Sequence, residues 1–230
     1  MSGWTTMWAQ ALMSDAPALP SLGIAQLWLT LGWSVVLAWL GVVVGGRWFT
    51  SLWAKRSMVA ALLLWTWWPG ELSPDYWLGL AFQAPSVLTV LLCAEGLRRK
   101  LWPASGVVRA FVAPLPRCLW GLMVTGIVLG WLLVLDAFAL LPVVQLYALG
   151  FSPAVTALVL LLVCLPWVLV SGAIAFPKAA WMPAAAVLAF VLFRLPSGNV
   201  WDAVLDPWLW LGLHGALLRA VLLRYRKRSS

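Results

Sequence analysis

Residues 118–177 read CLWGLMVTGIVLGWLLVLDAFALLPVVQLYALGFSPAVTALVLLLVCLPWVLVSGAIAFP and contain no lysine or arginine, although Arg117 stands just before them and Lys178 just after. A helix needs about 20 apolar residues to cross a hydrocarbon core of roughly 30 Å. The run therefore holds either two crossings with an outer connection or three short crossings. Three crossings would put Lys178 outside and reverse every later loop, including the tail Arg224-Tyr225-Arg226-Lys227-Arg228. Two crossings keep these cations on the inner side, where lysine and arginine collect. Spans at about 118–139 and 153–176 follow, with Pro142 to Pro153 on the outer surface.

The same logic extends in both directions. A first span at about 23–45 is closed by Gly45, Gly46 and Arg47. The second, about 54–69, is thin, because Lys55 and Arg56 lie in its first turns and must snorkel to the inner surface; Pro69-Gly70 stops it. The third, about 76–97, is closed by Arg98, Arg99 and Lys100, and an inner loop with Arg109 and Arg117 follows. The sixth covers about 179–195, with Arg194 at its outer end, and the seventh about 207–223. The predicted fold is an all-α polytopic transmembrane helix bundle of about seven spans, N-terminus outside and C-terminus cytoplasmic. Residues 1–22 form an external tail, 23–223 a single transmembrane domain and 224–230 a basic cytoplasmic tail. With these spans drawn, 14 of the 15 Lys/Arg lie at or beyond the inner face and five of the seven acids lie outside.

Composition agrees. The chain is 64% hydrophobic and 10% charged, against roughly 25% charged in soluble domains. The net charge of +8 is read as topology, and no nucleic-acid partner is expected. Cys93, Cys118 and Cys164 are dispersed and make neither a metal spacing nor a disulfide framework. Before the first span the chain has no basic n-region and carries Asp15, Pro17 and Pro20, unlike a secretory signal. Arginine outnumbers lysine 11 to 4 and asparagine occurs once, a GC-rich pattern that points to a bacterial inner membrane. Twelve of the 19 tryptophans fall at the two predicted boundaries, Trp65, Trp67 and Trp68 outside and Trp48, Trp53 and Trp102 inside among them. Indoles prefer that depth.

Ionisable groups within spans are functional candidates by default. Asp136 lies near the outer end of the fourth span, where it could bind a proton or cation, or pair with Arg194. His214, the single histidine, lies in the outer half of the seventh, where it could shuttle protons or pair with Asp136. Gln83, Ser86, Thr89 and Cys93 would form a polar stripe on the third helix, with Pro85 kinking it. Glu95 precedes Arg98 and Arg99 at ion-pair spacing. Asp75, Asp202 and Asp206 are candidate outer-face acids. Gly126 with Gly130, and Gly212 with Ala216, have the small-residue spacing that lets helices approach closely. The basic tail would attract anionic lipid.

Seven spans and an external N-terminus suggest microbial rhodopsins, but the seventh span has no lysine for a retinal Schiff base. One histidine cannot supply paired haem ligands. No catalytic, cofactor-binding or metal-binding residues are expected, and no cofactor. Two functional classes follow. The first is a non-catalytic inner-membrane subunit or scaffold of a larger envelope complex, with lipid and other membrane subunits as partners. The second is a small solute or ion transporter or channel using Asp136, His214 and the third-helix stripe. An intramembrane enzyme on a lipid-linked substrate, using the outer acids, comes third.

Overall fold

The computed structural model describes residues 18–102, 117–141, 145–170 and 181–228. Most of the external tail, the inner loop around Arg109, the end of the fifth predicted span, Lys178 and the last two residues lie outside the described residues. Every regular element among those described is a helix: α1 (Leu22–Gly45), α2 (Leu52–Thr66), α3 (Pro74–Phe82), α4 (Val87–Leu101), α5 (Arg117–Ala137), α6 (Leu146–Leu149), α7 (Pro153–Val170), α8 (Met182–Phe193), α9 (Val200–Val204) and α10 (Pro207–Arg228). They fall into two compact units. The first holds α1 to α4 with α8 and α9, the second α5 to α7 with α10.

In the first unit, α1 starts just after Pro20 and Ser21. Its 24 residues extend about 36 Å at 1.5 Å per residue. It is one of two described helices long and apolar enough to cross a membrane; the other is the Trp120–Ala137 part of α5. Antiparallel to it, α2 sets Met58 and Leu62 beside Gly45 and Gly41, and Thr66 beside Ser34. With 15 residues, α2 covers only about 22 Å.

The third predicted span is not one helix. It breaks into α3 and α4 between Phe82 and Val87. Pro85 brings no amide hydrogen and disfavours helical backbone at Ala84. Gln83 turns to a left-handed φ of 59°, and Ser86 becomes the N-cap of α4, its Oγ accepting the Thr89 amide at 3.1 Å. The break leaves carbonyls without helical partners, and α1 supplies donors for two of them. Trp33 Nε1 donates to the Gln83 carbonyl at 2.8 Å, and Trp28 Nε1 to the Pro85 carbonyl at 3.1 Å. The proline ring rests on Gly32, where a Cβ would lie 2.7 Å from Pro85 Cγ. Gln83, Ser86, Thr89 and Cys93 therefore do not share one helical face. Thr89 and Cys93 are buried on α4, Ser86 caps it, and Gln83 sits in the break.

Val90 near Gly32, and Gly96 near Trp39, show α4 running beside α1 in the same direction. α8 also packs against α4. Met182, Ala186, Val187 and Phe190 recur at helical spacing, and all are buried.

In the second unit, α5 and α10 pack through the glycine pair of α5. A Cβ at Gly126 would lie 2.8 Å from Leu213 Cδ1, and one at Gly130 2.2 Å from Trp210 Cδ1. The Trp210 ring meets Trp131 edge-on at 5.0 Å between centroids, and its Nε1 donates to the Ile127 carbonyl at 3.2 Å. The Gly212 and Ala216 pair is different: both are exposed, and a Cβ at Gly212 would meet no atom within 4 Å. The backbone of α10 stays helical through the basic run to Arg228; lysine and arginine are good helix formers.

Candidate functional site

Five polar side chains from α1, α2 and the start of α3 converge in the first unit where α2 finishes. Thr30 and Ser34 stand one turn apart on α1, Thr66 closes α2, Ser73 is the N-cap of α3 and Asp75 lies in its first turn. Thr30 Oγ1 donates to Asp75 Oδ2 at 2.5 Å, and Ser73 Oγ lies within hydrogen-bond reach of Asp75 Oδ1. The Ser34 and Thr66 hydroxyls are 2.8 Å apart. Ser73 Oγ also reaches the Thr66 carbonyl, at 2.8 Å. Ser34, Thr66 and Ser73 are all buried. Two indoles fasten the loop that follows α2: Trp65 Nε1 donates to the Leu72 carbonyl at 2.9 Å and Trp77 Nε1 to the Glu71 carbonyl at 2.8 Å.

Beside this network lies an open depression of about 310 Å³, whose lining includes Leu29, Thr30, Thr66, Asp75 and Tyr76. Its one carboxylate already accepts hydroxyl bonds. No group of three or more His, Cys, Asp or Glu placed to hold a metal occurs among the described residues. What the arrangement does is join the middle of α1 to the end of α2 and the start of α3, with interhelical hydrogen bonds worth about 0.6 kcal/mol each in a membrane protein. Ser73→Ala, which removes the single hydroxyl proton within reach of both the Thr66 carbonyl and the Asp75 carboxylate, is expected to cost roughly 1 kcal/mol. Thermal unfolding in mild detergent would read this as a lower midpoint, and an unchanged midpoint would remove Ser73 from the network.

The remaining sequence candidates are dispersed. At the end of α5, Asp136 Oδ2 accepts the Tyr147 amide at 2.7 Å. It borders a second open depression, of about 470 Å³, with Leu133, Gln145 and Tyr147. His214 Nδ1 lies 2.8 Å from the Trp210 carbonyl of its own helix, with its ring edge-on to Trp210 and Trp131. No hydrogen bond joins Asp136 to His214 among the described residues. Ser197 Oγ donates to Asp202. Asp206 Oδ1 accepts the Leu209 amide at 2.7 Å, directly ahead of Pro207, an arrangement that favours helix initiation. Glu95 pairs with Arg98 at 2.6 Å and Arg99 at 2.7 Å.

Of the five-residue network, only Asp75 was a sequence candidate. The signal that could have found the others is the pair of hydroxyls at Thr30 and Ser34: at i and i+4 in an apolar span, they share one face and need partners there. No protein-family model, no curated protein and no solved structure matches this chain.

Proposed function

We propose that the protein is a non-catalytic, multi-pass subunit or scaffold of a larger complex in a bacterial inner membrane. It crosses about seven times, with its N-terminus outside and its C-terminus in the cytoplasm, and its partners are lipid and other membrane subunits. The observation that carries this reading is the use made of the polar groups inside apolar helices. Asp136 accepts a backbone amide of the next segment, His214 bonds the backbone of its own helix, Ser86 caps α4 and Trp33 takes the carbonyl of Gln83. Each organises the fold. Groups arranged to carry an ion would instead line a continuous polar path, whereas the converging hydroxyls around Asp75 are spent on joining α1, α2 and α3. Support for membrane residence comes from α1 and α5 and from cations gathered on one side of the predicted spans.

A second reading, transport of a small solute or ion, draws on the depression bordered by Asp136. One substitution separates the two. Asp136→Asn keeps an acceptor for the Tyr147 amide but removes the charge. Under the subunit reading it leaves cellular function nearly intact, and native purification in mild detergent brings partner subunits with the wild-type chain. A monodisperse lone particle whose reconstituted proton or solute flux is abolished by the substitution would overturn the subunit reading in favour of transport.

A further inference from the structure

At the opposite end of the α1–α2 pair, Arg56 fastens the start of α2 to the end of α4. Its guanidinium carbon lies 5.9 Å from the Trp53 ring centre and 5.4 Å from that of Trp102, and Nη2 donates to the Leu101 carbonyl at 3.0 Å. Arg56 Nε is buried with no hydrogen-bond partner among the described residues. This clamp brings two further cations together, Lys55 beside Arg56 on α2 and Lys100 beside Leu101 on α4. Lys100 is exposed overall, yet partial desolvation of its amine, and then the charge of Lys55, lower it from its ordinary pKa. Lys55 also lies across the end of α1: a Cβ at Gly46 would be 3.8 Å from its Cε, and Arg47 comes next in the chain.

Among the described residues these cations have no counter-charge within the unit. Glu95, the acid on this part of α4, is paired with Arg98 and Arg99. Glu71 and Asp75 lie beyond the far end of α2, and Asp202 bonds to Ser197. No ion pair to Arg47, Lys55 or Lys100 occurs among the described residues. Bringing like charges together without an internal anion is costly, and an external anion relieves the cost. The first turn of α2 presents its amides at the same end, and Ser51 makes no side-chain cap to them. Around the cluster Trp48, Trp53 and Trp102 are 73%, 76% and 60% exposed, as suits indoles at headgroup depth.

We infer that Lys55 and Lys100, backed by Arg47, bind the phosphate of an anionic phospholipid, with the exposed indoles against its glycerol and upper acyl chains. This rests on the membrane reading above. It differs from general attraction of lipid to the basic C-terminal tail, because the cluster is built by packing and lies on α2, α4 and the turn after α1, remote from that tail in sequence.

The test uses the full chain in mild detergent, titrated with phosphatidylglycerol or phosphatidylcholine and followed by native mass spectrometry. The wild type should retain phosphatidylglycerol in preference to phosphatidylcholine. Lys55→Gln with Lys100→Gln should weaken phosphatidylglycerol binding roughly 30-fold, the loss of two interfacial cations, and leave phosphatidylcholine unchanged. Lys55→Arg with Lys100→Arg should retain binding, and it covers the case in which the glutamine pair fails to fold. Excess inorganic phosphate should not displace the lipid; displacement would make this a site for free phosphate and overturn the lipid assignment. So would a wild type without headgroup preference, an arginine pair that folds but loses binding, or a glutamine pair binding phosphatidylglycerol within about twofold of wild type. A carbonate wash of native membranes separates this failure from that of the underlying reading. Release of the chain overturns both, whereas retention alongside unaltered lipid binding overturns the lipid site alone.

Discussion

Replacing both Trp28 and Trp33 by phenylalanine is expected to destabilise the protein by about 2–6 kcal/mol, the sum of two carbonyls each losing a buried donor. Phenylalanine keeps most of the ring volume and removes the N–H groups that reach Pro85 and Gln83. Water can replace them poorly in an apolar surrounding, so the break between α3 and α4 would keep two unsatisfied acceptors. Unfolding in mild detergent measures the loss, and each single substitution should give about half of it. A Pro85→Ala background provides a second reading. With the proline gone, the segment is free to continue as helix, and the amides of Val87 and Thr89 can take the two carbonyls. The tryptophan substitutions should then cost less. An equal cost in both backgrounds would mean that the indoles act by packing alone.

Gly130→Leu should separate α10 from α5. The added side chain begins 2.2 Å from Trp210 Cδ1, so the indole must leave, and its bond to the Ile127 carbonyl goes with it. Overpacking of this kind costs about 1–3 kcal/mol, and the freed carbonyl adds roughly 1 kcal/mol. Gly212→Leu is the matched control, since a Cβ there meets nothing. Thermal unfolding and protease sensitivity of the purified chain should change strongly for the first variant and little for the second. Equal losses would contradict the α5–α10 packing. If Gly212→Leu spares the isolated chain but abolishes co-purification, the Gly212 face is where a partner subunit sits. That outcome would join the packing to the proposed function.

How much of this could be read in the sequence depends on how local its cause is. The bounds of α1 and α5 follow the apolar runs because the run and the helix are set by the same residues. The break in the third predicted span was announced by Pro85, yet its extent was not. A kink becomes a full interruption only because Trp28, Trp33 and Gly32, 50 or more residues away in the chain, make the interrupted form stable. The network around Asp75 was hidden for the same reason. Ser34, Thr66 and Ser73 are ordinary residues in separate segments, and only tertiary packing sets them in contact. Gly126 and Gly212 head pairs of identical spacing but meet different surroundings, one a leucine and the other nothing. Spacing identifies a face that can be approached closely; what approaches it is decided elsewhere.

The side of the bilayer reached by each end of the chain fixes the depth of every residue in the predicted spans. Epitope tags at the N-terminus and the C-terminus, probed in intact cells and again after permeabilisation, measure this directly. The N-terminal tag should be reached from outside in intact cells and the C-terminal tag only once the membrane is opened. Both tags reached from the same side would mean an even number of crossings, and the depths assigned to Asp136, His214 and the lysine cluster would fall together.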